Sequence, residues 1–298
     1  MTSSIKVGGT RPDPRRAAGT GEDESDLAVE SAKRSDERLH PATGPTIAPV
    51  NWISSGEFSF DGLSFTCDVT SHLNRATHEQ RIIIAKDRGI IDALYANLSP
   101  LRPQKMLEIG IAQGGSAFLH TSLFGLSKYV GVDIRGEDPT VLELLSKKYG
   151  SNRVKLYYQT SQADKTRIAE ICHEEFGGQC DVVIDDGSHE YELSLQTLEV
   201  ALPHVRPGGL YIIEDWSWAH WSGAKWQDKK TGYKIDQPAL SNLIFELTML
   251  CASRPDILNH GLIKKGFAVF QRGPSEFDWQ GFKLSESYLI QSRSFERL

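Results

Sequence analysis

Asp185 and Asp186 close one apolar run, Glu214 and Asp215 close another, and the first pair leads directly into Gly187, Ser188 and His189. Carboxylates are hard oxygen ligands for ions such as Mg²⁺, and an imidazole titrates near neutral pH. The set can therefore hold a divalent cation beside a general base. In open α/β folds such groups belong at the carboxyl ends of the strands, where ligands bind. The same acids have a plainer use as helix caps and loop acids. Their coincidence at two strand ends favours a metal site among these four acids, with the His189 imidazole beside it as base and His220 as the next candidate.

Upstream, Glu108-Ile109-Gly110-Ile111-Ala112-Gln113-Gly114-Gly115-Ser116 also follows an apolar strand and opens a helix. Glycines there let backbone N–H groups approach a ligand without side-chain obstruction. The spacing differs from the GxGxxG dinucleotide pattern, and Glu108 precedes the first glycine. A carboxylate repels a pyrophosphate but suits the ammonium or sulfonium of S-adenosylmethionine. Asp133, at the end of the next strand, stands where an acid accepts hydrogen bonds from ribose hydroxyls. Ser161 and Gln162 follow the third strand, where an adenine edge would lie. Glu108, Gly110, Gly114, Ser116, Asp133, Ser161, Gln162 and Asp185 are thus the candidate cofactor-binding residues.

The elements that must position these groups alternate. Strands are predicted at 105–109, 129–134, 154–158, 181–184 and 210–213, with helices near 115–126, 139–149, 165–176 and 190–202 between them. This alternation predicts an α/β fold with a parallel sheet covered on both faces. A helix from Pro238 to Cys251 follows, and 262–270 with 280–290 are expected to supply closing antiparallel strands. Ahead of the sheet, Phe58 to Phe65 alternate around Asp61-Gly62 as a hairpin. Thr77 and Gln80 resemble a capping box for a helix carrying Ile82, Ile83, Ile90, Ile91 and Leu94. Residues 1–46, rich in Gly, Pro, Ser and charge, are expected to be a disordered tail. The division is then a tail at 1–46, a hairpin and helix appendage at 47–98, and the main domain at 99–298. That domain carries an insertion at 216–236 with Trp216, Trp218, Trp221 and Trp226, whose aromatic faces suit a sugar ring or a flat polycycle.

The chain has 298 residues, 39% of them hydrophobic, and a formal net charge of −6. A core of that size is easily buried, and an acidic balance makes nucleic acid a poor partner. Cys67, Cys172, Cys180 and Cys251 lack CxxC or metal-type spacing and are read as reduced, structural thiols. No apolar run is long enough for a membrane span or a signal peptide, which predicts a cytoplasmic protein.

Leu107-Glu108-Ile109-Gly110 with Gly114 and Ser116, and Val132-Asp133, resemble class I S-adenosylmethionine-dependent methyltransferases. Val183 to His189 and Pro207-Gly208-Gly209 to Asp215 are similar, more narrowly, to the metal-dependent sugar O-methyltransferases of macrolide and rhamnosyl pathways and to the cephalosporin hydroxylase group. The resemblance implies a Rossmann-like fold with a mostly parallel seven-stranded sheet, S-adenosylmethionine and Mg²⁺ as cofactors, and a homo-oligomer. It implies Asp186, Glu214 and Asp215 as ligands and His189 as base, with Asp185 the alternative ligand of the first pair. The acceptor expected is a hydroxylated, glycosylated small molecule. Hydroxylation or methoxylation of a β-lactam-type metabolite, and silent cofactor binding, are the competing readings.

Overall fold

The computed structural model describes residues 48–70, 76–230 and 232–288. The tail expected at 1–46 lies outside the described residues. The described residues all belong to one compact unit.

Four short strands come first: β1 (Asn51–Trp52), β2 (Glu57–Phe60), β3 (Leu63–Cys67) and β4 (Ile82–Ile84), paired in that order. Asp61 and Gly62, with φ of 50° and 74°, form the tight turn that Asp-Gly signals between β2 and β3. The expected helix start at Thr77 is not present. Ile82–Ile84 is instead a strand parallel to β3, and the Thr77 hydroxyl accepts from the Ile83 N–H. Three consecutive β-branched residues favour the extended backbone over helix. Helix α1 (Arg88–Leu98) begins only at Asp87, whose side chain accepts from the Ile90 N–H at 2.9 Å.

The remaining elements are β5 (Lys105–Ile109), α2 (Gly115–Leu123), β6 (Lys128–Val132), α3 (Pro139–Tyr149), β7 (Val154–Tyr157), α4 (Lys165–Phe176), β8 (Cys180–Asp185), α5 (Tyr191–Ala201), β9 (Val205–Glu214), α6 (Ala224–Gln227), α7 (Ser241–Ser253), β10 (Leu258–Ile263), β11 (Phe267–Arg272) and α8 (Leu284–Ser287). Asp138 caps α3 and Asp164 caps α4 through their carboxylates. The sheet order is β10-β11-β9-β8-β5-β6-β7, antiparallel only where β11 meets β9 and β10. The seven-stranded, mostly parallel sheet expected from the resemblance is present. Its closing strands are β10 and β11 rather than 280–290, of which 284–287 is helical. Strand β9 is longer than expected, because Pro207-Gly208-Gly209 is absorbed as a register shift between Cys180 and Val182 of the facing strand.

Both faces of the sheet are buried, as continuous apolar strands require. Leu107, Val130, Val183 and Tyr211 face Ile168, Leu198 and Leu247 of α4, α5 and α7. Met106, Tyr129, Ile184 and Ile212 face Leu94, Phe118, Val141 and, from β4, Ile82 and Ile84. Chain order reverses beside β5, since β5 leads to β6 and β7 on one side and the chain then returns to β8 on the other. Strand ends at such a switch point open a crevice. The four cysteines are unpaired, and burial pushes the Cys172 thiol up to about 12. Among the described residues no helix is long and apolar enough to cross a membrane.

Candidate functional site

A cavity of about 1190 Å³ lies over the carboxyl ends of β5, β6, β8 and β9. The glycine turn makes its floor. Gly110 has φ +88°, and a Cβ there would lie 2.1 Å from the Asp186 carbonyl oxygen, so the β5 and β8 loops touch through backbone alone. Gly115 opens α2 directly beneath β4, where a Cβ would meet the Ile83 carbonyl oxygen at 1.9 Å. Asp133 holds this turn in shape: its Oδ2 accepts from the N–H groups of Ile111 and Ala112 at 3.0 and 2.8 Å, and its Oδ1 from that of Arg135 at 2.9 Å. Gln113 lines the cavity and its Oε1 is buried with no hydrogen-bond partner among the described residues.

Asp133, Ser116, Ser161 and Gln162 all line the cavity, whereas Glu108, Gly114, Asp185 and Glu214 do not. Ser161 Oγ accepts from the Ala163 N–H and shapes its turn. Gln162 ties two loops together, accepting from the Ser188 N–H at 2.8 Å and donating to Thr197 Oγ1 at 3.0 Å. Glu108 is fully buried behind the turn, bonded to the Tyr129 hydroxyl and to His120 Nδ1. Burial opposes its charge, but His120, Lys86 and Tyr129 outweigh that and hold the carboxyl at about 2.

Of the acids at the strand ends, Asp186 and Asp215 meet His189: one ligand atom from each lies within 4.8 Å of the others. Asp185 points into the interior instead, where burial raises it to about 6. His189 Nε2 stands 3.9 Å from Asp186 Oδ1. His189 and Asp215 have φ of 57° and 51°, left-handed conformations that non-glycine residues adopt at a cost and that concentrate at functional sites. Trp218 anchors the first through a bond from its Nε1 to the His189 carbonyl oxygen at 2.9 Å. The Asp215 N–H, donating to the Gly266 carbonyl, anchors the second. Burial, and then the Asp186 charge, raise the Asp215 carboxyl.

Glu214 is placed elsewhere. It is 3% exposed, and its Oε2 accepts from Lys86 Nζ at 2.7 Å. The same ammonium donates to Asp186 Oδ2 at 2.8 Å and lies 3.9 Å from Glu108 Oε1. Burial alone would lower Lys86, but these three carboxylates raise it well above its ordinary value. Burial and the Asp186 charge raise the Glu214 carboxyl, while the Lys86 charge and hydrogen bond lower it. Sequence reasoning missed Lys86, a single lysine between a strand and a helix with no motif around it. The one available signal is its position beyond Ile82–Ile84, which places it at a strand end once that run is read as a strand. His220, the reserve base, bonds to Ser241 Oγ and does not line the cavity.

The tryptophan-rich segment divides its labour. Trp216 and Trp218 bond to backbone carbonyls of Lys264 and His189, while Trp221 and Trp226 line the cavity together with Tyr233. Trp226 sits edge-on to both Trp221 and Tyr233, at 4.8 and 5.4 Å between ring centroids.

Residues 107–216 match the family model described as a methyltransferase domain. Demethylmacrocin O-methyltransferase of Streptomyces fradiae is 32% identical over 126 residues, which are 40% of this chain and 29% of that protein. Mycinamicin VI 2''-O-methyltransferase of Micromonospora griseorubida is 33% identical over 132 residues, again 40% of this chain and 29% of the relative. The chain thus spans less than a third of the length of these curated relatives. A solved structure of MycE methyltransferase from the mycinamycin biosynthetic pathway, in complex with Mg, SAH and mycinamycin VI, aligns at 25% identity. Its TM-score is 0.46, over 62% of this chain and 49% of that one.

Proposed function

We propose that this chain, with a methyltransferase domain over residues 107–216, is an S-adenosylmethionine- and Mg²⁺-dependent O-methyltransferase acting on a hydroxyl of a sugar or other hydroxylated natural product. The observation that carries this reading is the meeting of Asp186, His189 and Asp215 at the cavity that the glycine turn floors.

The residues fit both groups. Gly110 leaves backbone open to a ligand, Asp133 presents a carboxylate at the turn, and Gln113 Oε1 is an unpartnered buried acceptor suited to an ammonium. Mg²⁺ prefers oxygen ligands and keeps several positions for water or substrate. Asp186 and Asp215 would hold it, which leaves the His189 imidazole for the proton. When bound, the cofactor supplies an electrophilic methyl group and the ion a Lewis acid that lowers the pKa of an acceptor hydroxyl.

His189 Nε2 would take the proton of the acceptor hydroxyl, and the bound cofactor would supply the methyl group that replaces it. Asp186 Oδ1 stands 3.9 Å from that nitrogen. Trp221, Trp226 and Tyr233 offer apolar faces to a sugar or a polycyclic acceptor and exclude water from the reacting oxygen.

Incubation with methyl-labelled S-adenosylmethionine and a panel of glycosylated acceptors tests the reading. A product heavier by one methyl group, formed with Mg²⁺ and not in EDTA, is the expected result. A product heavier by one oxygen sinks it in favour of hydroxylation, and undiminished turnover in EDTA removes the ion.

A further inference from the structure

Lys86 brings a positive charge to the place where a metal-binding site would bring its own cation. It is 2% exposed, and it bonds carboxylates at the ends of two different strands of the sheet, Glu214 as the last residue of β9 and Asp186 just after β8. Burying an ammonium is costly unless partners satisfy it, so these contacts hold the lysine and both acids in place together. They do so unevenly. Asp186 keeps its second oxygen, Oδ1, facing His189, and one of its atoms falls within 4.8 Å of ligand atoms of both His189 and Asp215. Glu214 falls outside that group, and its Oε1 is buried with no partner among the described residues.

We propose that Lys86 is a positioning residue of the ion site, withholding Glu214 from the ion and confining protein ligation to Asp186 and Asp215. This rests on the Mg²⁺ reading given above. The lysine also repels a neighbouring divalent ion, so the site binds it loosely and leaves coordination positions for substrate oxygens. Among the described residues Lys86 is the cation paired with Glu214, so without the ammonium the ion becomes its counter-charge. Glu214 then joins as a third carboxylate, and a third anionic ligand tightens binding.

Titration calorimetry with Mg²⁺ and with Mn²⁺, in the absence of cofactor, reads this directly. Lys86→Met is expected to bind either ion at least about tenfold more tightly than the unsubstituted chain, since ligand charge sets affinity in oxygen-donor sites. Adding Glu214→Gln to it should cancel most of that gain, and Lys86→Arg should restore the original affinity. A gain that survives in the double variant overturns the withholding of Glu214, because relief of repulsion alone would then account for it. Unchanged or weaker binding by Lys86→Met in a folded variant overturns the proposal outright.

Should Lys86→Met not fold, the single variants decide. Glu214→Gln is expected to weaken ion binding by less than about tenfold and Asp215→Asn by about a hundredfold or more. Equal losses make Glu214 a ligand and refute the idea. No ion binding by the unsubstituted chain also overturns it, but as a failure of the ion reading itself, distinct from ion binding that ignores Lys86.

Discussion

Replacing Asp133 with asparagine keeps the shape of the side chain and removes one acceptor and the charge. The carboxylate now serves three backbone donors, Ile111 and Ala112 on Oδ2 at 3.0 and 2.8 Å and Arg135 on Oδ1 at 2.9 Å. A carboxylate has about four lone-pair sites, so roughly one remains for a ribose hydroxyl. An amide can turn its oxygen to Ile111 and Ala112, but its NH₂ then faces the Arg135 N–H, donor against donor. Asp133 is only 7% exposed, so water replaces little of what is lost. A hydrogen bond to a charged group contributes about 1.5–3 kcal/mol, so the variant should lose about 2 kcal/mol of stability. Loss of the proposed ribose contact should weaken S-adenosylhomocysteine binding by a similar energy, about 30-fold in Kd. Denaturant unfolding and calorimetry measure the two separately. A stability loss with affinity within about twofold of the original would make Asp133 a turn clamp and nothing more. No change in either would refute the bonding described.

His189→Asn keeps a residue that tolerates the left-handed backbone at φ 57° but removes the base, and turnover should fall by about 10²- to 10⁴-fold while cofactor affinity holds. Near-normal turnover in steady-state assays would reassign the proton acceptor. Gly115→Ala places a methyl 1.9 Å from the Ile83 carbonyl oxygen and should cost about 1–3 kcal/mol, with weaker cofactor binding as α2 shifts. Gly136→Ala, which meets nothing within 4 Å, is the control, and equal melting temperatures for the two would contradict the packing. Glu108 is held at about 2, below its unfolded value of 4.5, so its charge stabilises the fold above pH 4.5 and that contribution fades as pH falls through 2. Glu108→Gln should therefore be less stable by about 3 kcal/mol at pH 7, and the gap in unfolding free energy should narrow below pH 4.5. A gap independent of pH would show that Glu108 is not ionised in the fold.

The sheet was legible because its strands are continuous apolar runs separated by capped, amphipathic helices, a pattern that buried parallel strands impose on a sequence. Asp87, Asp138 and Asp164 cap their helices by local bonding that the sequence displays. Ile82–Ile84 misled because three isoleucines fit a helix face and a strand equally well, and a long-range pairing with β3 decided between them. At the site, acids at strand ends were visible, but which way each side chain turns was not. Asp185 and Asp186 alternate across the strand end, so one is buried and the other meets His189. Glu214 is held by a lysine 128 residues away in sequence, a contact with no local signature.

Strand β4, Lys86 and helix α1 carry a practical consequence for anyone exchanging parts between proteins of this kind. The family match begins at residue 107, yet Ile83, Ile84, Lys86 and Ile90 form one wall of the chamber, and Ile91, Leu94 and Leu98 plug the sheet behind it. A chimaera joined at the match boundary would inherit carboxylates without their resident counter-charge and a sheet face stripped to water. The smallest transplantable module therefore starts upstream of β4, and swaps made there should keep the chamber wall and the Lys86 contacts intact while the loops beyond β9 are varied.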